Sequence, residues 1–294
     1  MNRLQQLLSE RMGQGRAETG DWSDNASTSI SHATENTRCT AEPLQLGFPH
    51  RLFIPEHYEP RYDYPLVVWL HSDHSSEWEL DVVMEATSIQ NYIAVAPRGH
   101  RVSKKSGRLF RWGTQMADLA LAEDLVFECV DTLIENLPVH SERIFLAGIG
   151  AGATAAQWIG LKHPNRFAGV ISMQGAFPNN RRALASWKSA RQLPVLFMQG
   201  EPTPGCGDTE LFDAMHVAHS AGLSYRFVRL RDSDATRLTH DDSNQGPSLD
   251  GEMFAIANRF LMGIVTQTEI SLEPEVTPSE ASCLAPSSAT FGWN

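Results

Sequence analysis

The turn Gly148-Ile149-Gly150-Ala151-Gly152 stands between an apolar, β-branched run, Arg143-Ile144-Phe145-Leu146-Ala147, and an Ala-rich stretch that opens at Ala151. A strand-to-helix turn of the pattern Gly-x-Ser-x-Gly presents an attacking hydroxyl at its centre, and its outer glycines let helix and strand approach closely. Here the central residue is Gly150. Without a hydroxyl no acyl-enzyme can form at that position. Such a turn holds its middle residue in an unfavourable backbone region at a cost of roughly 1 to 3 kcal/mol, most of which glycine relieves.

Other chemistry-bearing residues cluster in sequence. His71, Ser72, Asp73, His74, Ser75 and Ser76 follow one apolar run, at the carboxyl end of a strand where α/β folds keep their ligands. Ser72 there is an alternative nucleophile. With His100, His240, Asp241 and Asp242 these residues form a conceivable metal set, but no His-x-x-x-His spacing supports one, and no metal or other cofactor is expected. Cys206 lies in the loop Pro204-Gly205-Cys206-Gly207; neighbouring acids would raise its pKa, which favours an ordinary thiol over a thiolate. Gly148, Gly150 and Ala153 also fit Gly-x-Gly-x-x-Ala, a turn that can cradle a dinucleotide pyrophosphate. That fingerprint asks for an acid about 20 residues on, at the end of the next strand, where this chain reads Met173-Gln174-Gly175.

The elements that must position these residues alternate. Strands are expected over 46–53, 66–71, 92–96, 143–147, 169–174, 194–199 and 225–231. Helices are expected over 119–137, 151–162, 184–190, 209–221 and 249–264. Apolar strands alternating with helices give an α/β fold with a mostly parallel sheet covered on both faces. Leu125, Val126, Cys129, Val130, Leu133, Ile134 and Leu137 recur at helical spacing before Pro138 stops the helix.

The whole chain sets limits on partners. Its 294 residues suffice for a sizeable core, and 41% hydrophobic with 20% charged residues fit an ordinary globular protein. A formal charge of -11 gives no reason to approach nucleic acid or an anionic membrane. The amino terminus lacks the apolar run of a signal segment, so a cytoplasmic protein is expected. Cys39, Cys129, Cys206 and Cys283 are scattered, without a CxxC pair, and are expected to be inert thiols. A flexible arm over 1–43, one domain over 44–266 and a flexible acidic tail over 267–294 complete the expected organisation.

Three stretches carry a resemblance to a known family. They are Pro49-His50-Arg51-Leu52-Phe53-Ile54-Pro55 followed by Tyr64-Pro65-Leu66-Val67-Val68-Trp69-Leu70-His71, the run from Arg143 through Ser172, and Leu193-Pro194-Val195-Leu196-Phe197-Met198-Gln199-Gly200. In these the chain resembles the α/β-hydrolase superfamily, and within it the compact phospholipase/carboxylesterase and polyhydroxybutyrate-depolymerase-like esterases. The resemblance implies an α/β-hydrolase fold and carboxylic-ester hydrolysis. It places the nucleophile at Gly150, the acid at Thr203 and the histidine in the segment 231–236. His240 stands later in that loop, and Glu201 or Asp208 could orient it. The family's His-Gly-Gly-x oxyanion segment reads His71-Ser72-Asp73-His74 here. Oxyanion donors are backbone N–H groups, so Ser72 or Asp73 with Ala151 retain the means to donate. His71, His74, Trp112 and Cys206 are expected to line the cleft, with Trp112 packing over the elbow or stacking on a ligand.

These motifs predict an esterase-like scaffold without its Ser-His-acid machinery, hence a pseudo-hydrolase that binds a small ligand or a protein partner. An active hydrolase with a relocated nucleophile or a metal-bound water is the alternative. A dinucleotide-binding protein is the second.

Overall fold

The computed structural model describes residues 46–101, 110–113, 115–177, 187–199, 208–229 and 251–268. Strands β1 (His50–Phe53), β2 (Tyr64–Leu70) and β3 (Ile93–Pro97) come first, with helix α1 (Glu79–Thr87) between the last two. Two antiparallel two-residue strands, β4 (His100–Arg101) and β5 (Phe110–Arg111), precede helix α2 (Met116–Asn136). Strand β6 (Val139–Ile149) runs directly into helix α3 (Ala151–Lys162), and β7 (Gly169–Met173) follows. A short helix α4 (Trp187–Ala190), β8 (Val195–Gln199), α5 (Asp208–Ala221), β9 (Tyr225–Arg229) and α6 (Gly251–Thr266) complete the order.

Seven strands form one sheet in the order β1-β3-β2-β6-β7-β8-β9. Only β1 runs antiparallel to its neighbour; the remaining pairs are parallel. The reason is visible in β2, where every residue is buried. Side chains alternate across a strand, so Leu66, Val68 and Leu70 join the core under α2 and α3. Val67 and Trp69 face the opposite core with Leu80, Val83 and Met84 of α1 and Phe254, Ala257 and Leu261 of α6. Helices on both faces are what a continuous apolar strand requires.

The expected elements stand with modest shifts. Helix α3 has the expected bounds, while β6 begins four residues before the expected Arg143 and α2 begins three residues before Leu119. The strand expected from Leu46 begins at His50, although Leu46 and Phe48 still pack against the core. Helix α1 and the β4–β5 pair are additions to that expectation. In α1 the β-branched pair Val82-Val83 weakens the helical signal, and Trp78 at the N-cap makes no side-chain capping bond. The arm over 1–43 and the tail beyond 268 lie outside the described residues.

Candidate active site at the β6–α3 elbow

Gly150 sits at φ 57° and ψ -123° between β6 and α3. This is the left-handed half of backbone space, which side chains disfavour and glycine tolerates. Its N–H donates to the Met173 carbonyl at 2.9 Å, and its own carbonyl accepts from the Thr154 N–H at 3.1 Å. A sharp reversal is thereby pinned from both sides. The outer glycines are required for a different reason, close approach. A Cβ on Gly152 would stand 2.2 Å from the Leu70 carbonyl oxygen and 2.5 Å from that of His71, and one on Gly148 would stand 2.8 Å from Leu70 O. These contacts give the glycines a packing role against β2.

A Cβ on Gly150, by contrast, would meet no described atom closer than Oδ2 of Asp73, at 4.0 Å, beyond its chain neighbours and its own helix. Ala151 opens α3, where the first N–H groups have no acceptor within the helix.

The loop after β2 forms the second wall. His71 is fully buried; its Nδ1 lies 2.8 Å from the Ser72 carbonyl, and its Nε2 accepts the Gly99 N–H at 3.0 Å. These partners assign a neutral ring with the proton on Nδ1. Burial lowers the pKa of His71, and the Ser72 carbonyl together with the charges of Glu79, Glu77 and Asp73 offsets only part of that. Trp112 packs against this ring at 5.3 Å between centroids and is 2% exposed, so it is a packing residue of the wall. Its indole Nε1 and Nε2 of His100 are buried with no hydrogen-bond partner among the described residues.

Ser72 does not offer its amide to the cleft. Its N–H donates to both carboxylate oxygens of Glu79, at 3.1 and 3.2 Å, and its Oγ donates to Oε2 at 2.6 Å. The same carboxylate accepts the indole N–H of Trp69 at 2.9 Å. Glu79, 7% exposed, thus binds three donors and holds the loop against the start of α1. Sequence reasoning missed it. Asp73 and His74 are exposed, His74 at φ 62° with its N–H donating to the Phe110 carbonyl at 2.9 Å. Ser75 and Ser76 are half-buried, and Ser75 bridges to Phe110 of β5.

A polar network supports the elbow from below. Gln157, fully buried on α3, donates to Ser172 Oγ at 2.7 Å and to the Ala176 carbonyl at 3.2 Å. Its Oε1 accepts from Tyr225 OH at 3.1 Å, and burial pushes the Tyr225 phenol far above its ordinary pKa. Thr154 Oγ1 lies 3.3 Å from the Gly150 carbonyl and accepts the Ala176 N–H at 2.9 Å. Elbow and β7 loop are therefore one bonded unit.

Several expected site residues lie outside the described residues: Glu201, Thr203, Cys206, His240, Asp241 and Asp242. Asp208 opens α5, but its side chain is not described. Cys129 is buried on α2, and burial pushes its thiol well above the ordinary value. Among the described residues no three His, Cys, Asp or Glu side chains are placed to share a metal ion, and no helix is long and apolar enough to cross a membrane.

A mostly parallel sheet, helices on both faces and a glycine-flanked turn from β6 into α3 define an esterase-like α/β-hydrolase scaffold. The model of the family described as "Putative esterase" matches residues 48–220, more than half of the chain, and the chain belongs to that Esterase family. Solved structures agree on the fold. Esterase PE8 is 17% identical with a TM-score of 0.55, over 74% of this chain and 98% of its own. A phospholipase/carboxylesterase from Dyadobacter fermentans DSM 18053 is 16% identical with a TM-score of 0.52, over 72% of this chain and 95% of its own. Thermogutta terrifontis esterase 2, solved phosphorylated by paraoxon, is 14% identical with a TM-score of 0.55, over 73% of this chain and 88% of its own. No curated protein matches the chain.

Proposed function

We propose that this member of the Esterase family is a pseudo-hydrolase: its cleft binds a small ligand or a protein partner without forming an acyl-enzyme at the elbow. One observation carries the reading. Gly150 occupies the centre of the elbow, at φ 57° and with no described atom nearer than 4.0 Å to where a side chain would begin, beyond its chain neighbours and its own helix, so the backbone geometry of a nucleophile position is present without a hydroxyl. Loss of that group from a comparable triad costs roughly 10⁶ in turnover. The engagement of the Ser72 N–H by Glu79 supports the same reading, since one amide of the oxyanion loop is already spent.

Membership of the Esterase family favours a second reading, an active carboxylic-ester hydrolase with a relocated nucleophile. Ser72 has a hydroxyl paired with a carboxylate, its Oγ donating to Glu79 Oε2 at 2.6 Å. Three donors share that carboxylate, which suits a structural anchor better than a base waiting for a proton.

Thermogutta terrifontis esterase 2 carries an organophosphorus adduct, and the corresponding experiment separates the readings. The full chain is incubated with a fluorophosphonate probe and with short-chain nitrophenyl esters, with and without chelator and thiol blocker. The pseudo-hydrolase neither labels nor turns over ester above the uncatalysed rate. Covalent labelling, or ester turnover above the uncatalysed rate, overturns the proposal; turnover lost to the chelator or to the thiol blocker assigns it to a metal-bound water or to Cys206, and turnover that survives both, with labelling at Ser72, assigns it to that hydroxyl.

A further inference from the structure

We infer that Asp73 sets the charge of the ligand this cleft accepts, selecting a ligand that brings an ammonium or other cationic group to the space above Gly150 over one that brings a carboxylate. The inference rests on the non-covalent reading of the cleft and names the chemistry of its ligand.

Three observations carry it. Among the described residues, Asp73 Oδ2 is the one heavy atom, apart from chain neighbours and α3's own backbone, within 4 Å of where a side chain of residue 150 would begin. The Asp73 carboxylate is exposed and makes no hydrogen bond or ion pair among the described residues, so none of them neutralises its charge. Ser72, the preceding residue in the loop, has both its N–H and its hydroxyl turned onto Glu79. The wall has therefore exchanged a hydrogen-bond donor for a negative charge at the point where a bound carbonyl or carboxylate would need donors.

The positive end of α3 lies at the same spot and acts in the opposite sense. A helix N-terminus is equivalent to roughly half a unit charge, so a full carboxylate beside it leaves these two groups together net negative. Because the site is open to water and salt, the selection it gives is modest, about tenfold between ligands of opposite charge.

The test measures binding of butyltrimethylammonium and butyrate to the full chain at low salt by calorimetry, in the wild type, in Asp73→Asn and in Asp73→Glu. The wild type binds the ammonium about tenfold tighter than butyrate. Asp73→Asn, which keeps shape and removes charge, abolishes that ratio, and Asp73→Glu restores it. An unchanged ratio in Asp73→Asn overturns the inference, as does a wild type that binds no ammonium probe. Failure of the underlying reading is seen separately, as covalent labelling or ester turnover by the wild type, and leaves the Asp73→Asn ratio measurable.

Discussion

The carbonyl oxygen of Leu70 lies 2.2 Å from where a Cβ on Gly152 would stand, whereas a Cβ on Gly150, two residues earlier, would meet no described atom outside its chain neighbours and α3 nearer than Asp73 Oδ2 at 4.0 Å. Two glycines of one turn are thus held for unrelated reasons, one by contact and one by backbone angle. Gly152→Ala forces β2 and α3 apart at the backbone and is expected to cost about 3 kcal/mol or more. Gly150→Ala costs only its strained backbone angle, about 1 to 3 kcal/mol. Urea unfolding of both variants checks the order, and a Gly150→Ala loss larger than that of Gly152→Ala contradicts it.

Gly150→Ser places a hydroxyl at the centre of the elbow, where the nearest described atom beyond its chain neighbours and α3 belongs to the Asp73 carboxylate. With threonine at position 203 and no histidine over 231–236, the variant is expected to fold and to hydrolyse nitrophenyl butyrate no more than about tenfold faster than the wild type. Brisk turnover would show that His240, with Glu201 or Asp208, forms a working relay.

Glu79→Ala strips three donors of their acceptor, the Trp69 indole and the Ser72 N–H and hydroxyl. Stranding buried donors that shared a charged partner is expected to lower stability by about 2 to 4 kcal/mol. Glu79→Gln keeps an acceptor oxygen and is expected to lose about half as much. Thermal or urea denaturation of the pair gives the comparison; equal losses would mean that side-chain volume, not hydrogen bonding, matters at this position.

His71 is buried as a neutral ring, with a pKa below the ordinary value near 6.5. Between the two values the unfolded chain holds a proton that the folded chain refuses. Stability therefore falls as pH drops from about 7 towards the lowered value, and His50, also lowered by burial, adds with the same sign. The urea midpoint is expected to fall between about pH 7.5 and about pH 5, with a shallower slope in His71→Gln by up to one proton. A slope unchanged in that variant would remove His71 from the account.

Much of this architecture is legible in the residues because burial leaves a pattern. β2 is apolar throughout since both faces are covered, and Gly148-Ile149-Gly150-Ala151-Gly152 announces a tight strand-to-helix passage that the structure places at φ 57°. The loops leave no such pattern. Glu79 reaches Trp69 and Ser72 only because the chain turns back between them, a proximity that no periodicity encodes. Trp112 illustrates the reverse: its type suggests a stacking surface, and only the packing against His71 shows that its faces are covered. The side chain of Asp73 was legible as a polar loop residue, but its approach to Gly150 depends on the register of two parallel strands, Leu70 beside Gly148.

That register has a cost during synthesis. β2 ends at Leu70, and its second neighbour, β6, is complete only at Ile149. Until the ribosome has delivered those later residues, the strand destined for the interior of the sheet offers an unpaired, wholly apolar edge. A nascent chain halted in that interval leaves this edge open to pairing with another chain.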